Sequence, residues 1–311
     1  MSNDRAGPIG EFPPVIETVM PVQTTLRVTW LRQAVLICVC LLPIVSFLTV
    51  FFVGPIALNV VQSLHPLASS RATFGGFAKL IEDWYFYKVL AQTGALGVVV
   101  TFLCLLLGYP FAYGLTKTRG RTRAMLMMVL LAPLLVNVVV RSYGWMVLVG
   151  GGGVVDAVAK GLHLGGVQLM YTWTGITIAL VHVLLPFMVI SIASQMESLD
   201  SAYEEAAATL GASPARAFRL VILPLTIEGV ITGAIITFTM TIGSFVTVML
   251  LGDNSTMVLP LLIYQQLTVT NDWPAAAALG IALLTFVIAL LCLQVLLQRW
   301  FRARVSARGR K

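Results

Sequence analysis

The sequence predicts an all-α membrane protein of six transmembrane helices, and three observations lead there. Hydrophobic residues make up 58% of the 311-residue chain and charged residues 11%, far below the roughly 25% of an average soluble domain, and the mean hydropathy is +0.92. Six apolar stretches, 34–61, 89–115, 124–149, 170–193, 229–251 and 275–297, reach the about 20 residues that a helix needs to cross a bilayer. Lysine and arginine are also unevenly divided between the two sets of loops. Fifteen lie in the first tail, the 2–3 loop (Lys117, Arg119, Arg121, Arg123), the 4–5 loop (Arg216, Arg219) and the last tail, against four (Arg71, Lys79, Lys88, Lys160) in the opposite loops. The positive-inside rule then puts both termini in the cytoplasm, as an even number of spans requires.

Residues 1–33 are polar and carry Pro8, Pro13, Pro14 and Pro21, so they read as a flexible cytoplasmic tail before a transmembrane domain at 34–299. The first apolar stretch is too long for a cleaved signal peptide and reads as a retained helix. The 1–2 loop, 62–88, holds an aromatic run at 83–87 suited to an interfacial belt on the outer face. Gly150 to Gly153 read as a flexible turn, and Pro274 as the start of the last helix. Pro43, Pro55, Pro110, Pro133 and Pro186 fall in or near the first four spans, where kinks make room for a cavity or hinge. Residues 300–311 form a basic cytoplasmic tail. The net charge of +7 reflects topology and contact with anionic membrane lipid rather than nucleic acid. Cys38, Cys40, Cys104 and Cys292 lie in apolar spans without metal-ligand spacing, so no metal site is expected.

One stretch is polar where its surroundings are not: residues 204–225, EEAAATLGASPARAFRLVILPL. Ser201 with Glu204 has the capping-box spacing, so a helix is expected to begin near 202. Gly211 ends it, and Ser213 with Pro214 restart a second helix as N-cap and first residue. That helix is expected to break before Pro224. Physics alone leaves two readings, an amphipathic loop lying on the bilayer and a surface offered to a partner.

The spacing Glu205-Ala206-Ala207, three residues to Gly211, nine to Val221, then Leu223-Pro224 resembles the EAA loop of permease subunits of binding-protein-dependent ABC importers, with Val221 where isoleucine is usual. Residues 138–145 (VVVRSYGW), 243–253 (GSFVTVMLLGD) and 271–274 (NDWP) extend the likeness to the spermidine/putrescine-type permeases over most of residues 90–300, although Glu228-Gly229 replaces a common Pro-Gly. The resemblance implies a type I ABC importer permease fold in a bacterial inner membrane, with coupling helices at 197–226 seated on an ATPase subunit. It makes Glu204, Glu205, Ala206, Ala207, Gly211 and Pro224 the coupling residues. It implies a second permease, an ATPase dimer carrying ATP and Mg, an external solute-binding protein and a polyamine cargo. Other small solutes, such as amino-acid derivatives, phosphonates or thiamine, are the alternative cargo. The chain has no Gly-Lys dipeptide, hence no Walker A loop to hold ATP phosphates, so the energy is expected to come from another subunit and no cofactor is expected on this chain.

Arg141 is the one strong base inside an expected span, with two readings: a gate or path-lining group, and an anchor reaching the surface. Thr237, Thr241 and Ser244 recur on one helical face, either lining a wet route or bonding back to their own helix. Tyr143, Trp145 and Phe245 read as an aromatic constriction or as packing. His182 reads as a proton relay or a packing histidine. The acids available to attract a cation are Glu228 and, outside, Glu82, Asp83, Asp156, Asp253 and Asp272. No catalytic residues are expected. His65, His163 and His182 make no HExxH, the spans offer no facing carboxylates, and no base stands beside a nucleophile. A membrane scaffold or receptor is the remaining rival.

Overall fold

The computed structural model describes residues 39, 41–64, 80, 82–163, 165–200 and 202–308, and among them helices are the regular structure. The chain divides into two compact units, Met1–Ala57 and Leu58–Lys311. In the first, a π-helical turn at Thr49–Val53 leads into the opening turn of α1 (Gly54–Leu64), with the Gly54 N–H donating to the Thr49 carbonyl. The cause is Pro55. Its ring would meet the carbonyl four residues back, and widening the preceding turn moves that carbonyl aside.

The second unit is built on α2 (Trp84–Lys117), α3 (Gly120–Leu135), α4 (Val138–Val149), α5 (Val154–Gly161) and α6 (Trp173–Glu197). It continues through the short α7 (Ala202–Thr209), α8 (Pro214–Ala217) and α9 (Leu223–Leu225) to α10 (Ile227–Ile242), α11 (Phe245–Leu251), α12 (Leu259–Thr268) and α13 (Trp273–Arg308). Among the described residues, five stretches are long and apolar enough to cross a membrane: Leu41–Leu64, Trp84–Lys117, Val138–Gly161, Trp173–Glu197 and Trp273–Leu296. Ile227–Ile242 passes the same test only when taken together with Pro214–Leu225, from which it is sharply bent.

The core is the mutual packing of α2, α6 and α10. On α2 the buried positions Phe86, Val89, Thr93, Leu96, Val100, Cys104, Gly108, Ala112 and Leu115 follow the three-and-four spacing of one helical face. In lipid, helices gain little from hiding apolar surface from one another, so close backbone approach and van der Waals contact carry the association. Glycines supply that approach. A Cβ at Gly233 of α10 would lie 2.8 Å from Met188 Sδ and 3.2 Å from Met188 Cα on α6, and one at Gly229 would lie 2.7 Å from the Ser191 carbonyl. One at Gly97 of α2 would lie 2.7 Å from the Phe238 ring of α10. Outward positions such as Val98, Phe102, Leu106 and Met128 stay exposed, as apolar side chains on the outside of a membrane-embedded bundle do.

Several expectations are corrected and others are refined. The third span, 124–149, is two helices separated at Val136–Asn137; the Asn137 side chain accepts from the Val139 N–H and starts α4 afresh. The fifth, 229–251, is broken at Gly243–Ser244. The 5–6 loop contains α12, whose first N–H, that of Leu259, is taken by the buried Thr93 hydroxyl at 2.9 Å. The aromatic run at 83–87 opens α2, with Asp83 as its cap. Residues 300–308 prolong the last helix. The glycine run is an ordered turn: buried Asp156 accepts from the Gly152 and Val167 N–H groups and from Lys160 Nζ at 2.7 Å. Asp156 is therefore consumed by the fold rather than free to draw a cation, and Asp253 likewise holds the turn Asn254–Thr256 through a reciprocal capping box. Residues 1–38, 40, 65–79, 81, 164, 201 and 309–311, among them Cys38, Cys40, His65, Arg71, Lys79 and Ser201, lie outside the described residues.

Candidate functional site

Residues of two helix breaks and of α6 line one open-sided pocket of about 550 Å³. Its lining joins Leu134, Val136, Asn137 and Arg141 from the first break, Val183, Leu184 and Phe187 from α6, and Met240, Gly243 and Ser244 from the second. Broken helices leave backbone carbonyls without intrahelical partners, and inside a membrane such groups persist where they line a cavity or meet a side chain. Arg141 meets them here. Its Nη1 donates to the Pro133 carbonyl at 2.7 Å and lies 3.4 Å from that of Val136, so the guanidinium spans the break at the end of α3.

The hydroxyl stripe does not hold together. Thr237 and Thr241 are buried, and Thr241 donates back to the Thr237 carbonyl at 2.8 Å; Ser244, past the end of α10, donates back to the Met240 carbonyl at 2.7 Å and lines the pocket. The aromatic candidates separate too. Trp145 meets the His182 ring edge-on at 5.5 Å, Phe245 lies 5.3 Å from Tyr264, and Tyr143 is exposed. Of the proposed path residues, the structure brings Arg141 and Ser244 together. Asn137, Phe187 and Gly243 were not singled out from the sequence. An asparagine before a fresh apolar run and a Gly-Ser pair within one were the available signals.

At the end of the bundle where α2 and α6 finish, α7 to α9 form a separate module. The Gly211 N–H donates to the Ala208 carbonyl and the Ala212 N–H to that of Ala207, the paired bonds that close a helix through a left-handed residue, and Gly211 has φ +78°. Glu204 and Glu205 sit on α7; the Glu205 side chain and Ala206 are exposed, Ala207 is buried, and Tyr203, Leu210 and Leu220 present apolar surface outward. Ser213 and Pro214 restart the chain as expected. Pro224 does not stop it, contrary to expectation. A π-helical turn at Phe218–Ile222 precedes it, as one precedes Pro55, and the helix runs on to Leu225.

The break comes at Thr226, where the axis bends by 61° into α10. Thr226 is fully buried and donates to the Ile222 carbonyl at 2.9 Å, while Tyr109 of α2 meets its Oγ1 at 2.7 Å. Phe218 packs edge-on against both Tyr109 and Tyr113. Arg123 of α3 pairs with Glu197 at the end of α6. The module is thus fastened to the core at the bend and free along its outer face.

Comparison with known proteins places this architecture. Residues 105–303 match the family model described as binding-protein-dependent transport system inner membrane component. The spermidine/putrescine transport system permease protein PotB of Escherichia coli strain K12 is 34% identical over 225 residues, 71% of this chain and 80% of the relative. PotB of Haemophilus influenzae is 32% identical over 270 residues, 85% of this chain and 88% of the relative. In the crystal structure of a bacterial ABC transporter that imports the acidic polysaccharide alginate, one chain superposes with a TM-score of 0.68 at 17% identity, covering 88% of this chain and 98% of that one. The chain belongs to the inner membrane components of binding-protein-dependent transport systems, as a multi-pass ABC importer permease subunit of the spermidine/putrescine type and not an enzyme.

Proposed function

We propose that this permease forms half of a polyamine path and passes the work of ATP closure from α7–α9 to the break at Gly243–Ser244. The observation that carries the reading is the continuous connection between the two sites. The module's exposed face at Tyr203, Glu205, Ala206 and Leu210 leads through the Schellman turn at Gly211 to the clamped bend at Thr226, and α10 runs from that bend straight to the cavity. A rigid helix about 24 Å long transmits displacement at one end to the other.

In this reading α7–α9 lie in the cytoplasm with both termini. Glu204, Glu205, Ala206, Ala207 and Gly211 dock on a separate ATPase dimer that holds ATP and Mg. Pro224 shapes the approach to the bend. A second, homologous permease supplies the other half of the path, and an external binding protein delivers the solute. The identity with the PotB proteins supports spermidine and putrescine as cargo.

The experiment is reconstitution of the chain with its ATPase, second permease and binding protein in proteoliposomes. ATP hydrolysis stimulated by polyamine-loaded binding protein, and lost in Gly211→Asp, is the expected result. Assembly without a polyamine response moves the cargo to another small solute. Failure to bind any ATPase overturns the coupling role.

A further inference from the structure

We propose that the carbonyl pair at the end of α3 is an alkylammonium-binding site, and that Arg141 is a tethered cation that occupies it until a substrate ammonium displaces the guanidinium. The inference rests on the polyamine reading for its cargo but not for its chemistry.

An arginine on a route for cations is unexpected, because like charges repel, and here the surroundings explain its presence. Arg141 sits one turn into α4, where the macrodipole is positive and disfavours a guanidinium. Among the described residues no carboxylate forms an ion pair with it; the ion pairs there join Arg123 to Glu197 and Lys160 to Asp156. What holds Arg141 is the opposite end of the neighbouring half-helix. Pro133 and Val136 belong to the last turn and cap of α3, where unpaired carbonyls concentrate negative potential, and Nη1 donates to the first at 2.7 Å. Such a site selects for a donor-rich cation and not for arginine as such. A primary ammonium has three donors and is smaller, and the 550 Å³ cavity beside the site leaves room for it and for the displaced guanidinium. Asn137, Ser244 and the Phe187 ring line the same space, so the incoming cation meets amide, hydroxyl and aromatic surface there rather than acid.

Competition of this kind does two things. With the site empty of substrate, the cavity keeps a positive charge that repels small cations and limits leakage. With substrate delivered at high local concentration by a binding protein, one cation replaces another and the break never holds unpaired carbonyls. A guanidinium that occupies the site nine-tenths of the time weakens apparent ammonium affinity about tenfold.

The test uses the reconstituted complex with Ser244→Cys in a chain whose four native cysteines are replaced by alanine or serine. The rate at which a neutral methanethiosulfonate reagent modifies the introduced thiol is followed as butylammonium is added, with butanol as the uncharged control. Saturable protection by butylammonium and none by butanol is expected. Arg141→Gln, whose uncharged and shorter side chain ends two bonds short of Nη1, lowers the half-protecting concentration about tenfold, whereas Arg141→Lys, which keeps a tethered cation, leaves it near the parent value. An unchanged half-protecting concentration in Arg141→Gln, or no saturable protection in either chain, overturns the proposal. Spermidine uptake by the parent complex is measured alongside. Protection without uptake sinks the polyamine reading alone, and uptake without protection sinks the carbonyl site alone.

Discussion

The Tyr109 hydroxyl lies 2.7 Å from Thr226 Oγ1 in a buried contact that joins α2 to the bend below α10. Because Thr226 spends its one proton on the Ile222 carbonyl, its oxygen is left to accept, and Tyr109 is the donor. Removing the Thr226 hydroxyl leaves the buried Tyr109 O–H without this acceptor, whereas removing the Tyr109 hydroxyl leaves Thr226 bonded to Ile222 alone. A double-mutant cycle of Tyr109→Phe and Thr226→Val, read by thermal unfolding of the purified permease, is expected to give a coupling energy of about 1 kcal/mol. Simple additivity would show that the contact does not fasten the bend.

Gly211 holds φ +78° in open space, with nothing within 4 Å of where a Cβ would stand. The cost of a side chain is therefore conformational and not steric. Gly211→Ala is expected to destabilise the turn by about 1 kcal/mol and Gly211→Asn by less, since asparagine tolerates the left-handed region. Equal ATPase-stimulated transport by the glycine, asparagine and alanine forms would remove the turn from the coupling route.

At Gly233 the opposite holds, because the neighbouring α6 backbone stands 3.2 Å from an added Cβ. Gly233→Leu is expected to separate α10 from α6 and to make the permease sensitive to mild proteolysis in detergent. Gly280→Ala, where nothing lies within 4 Å, is the matched control and should behave as the parent chain does.

The Ser255 hydroxyl and N–H, with those of Thr256, hold the Asp253 carboxyl below its ordinary value, against a smaller opposing effect of burial. A depressed folded pKa means that the stabilisation is complete above the unfolded value of about 3.9 and is lost as pH falls through the folded one. Thermal unfolding of the purified protein should therefore drop more between about pH 6 and pH 3 for the parent chain than for Asp253→Asn. Identical drops would show that this turn contributes nothing to the acid response.

Much of the architecture was legible because the bilayer imposes it. Runs of about 20 apolar residues and a one-sided distribution of lysine and arginine identify a multi-pass membrane protein whatever its interior looks like. The short helices at 202–217 were legible for a similar reason. Gly211 and the pair Ser213-Pro214 act through their own backbone preferences, which need no tertiary partner. The candidate path was less so. Hydropathy averages over a window, and a break of two residues such as Val136–Asn137 or Gly243–Ser244 leaves the average unchanged.

The same limit applies to Pro224. Local preference says that a helix stops before proline, but Phe218 is seated between Tyr109 and Tyr113 and Thr226 is bonded to Tyr109, so the chain widens one turn and continues. Arg141 shows it most plainly. By itself the sequence determined that a costly charge lay within an apolar run. Only the tertiary structure decided its partners, because the carbonyls that hold it are unpaired only once α3 ends and α4 begins, and the pocket beside it exists only where residues of two helix breaks and of α6 come together.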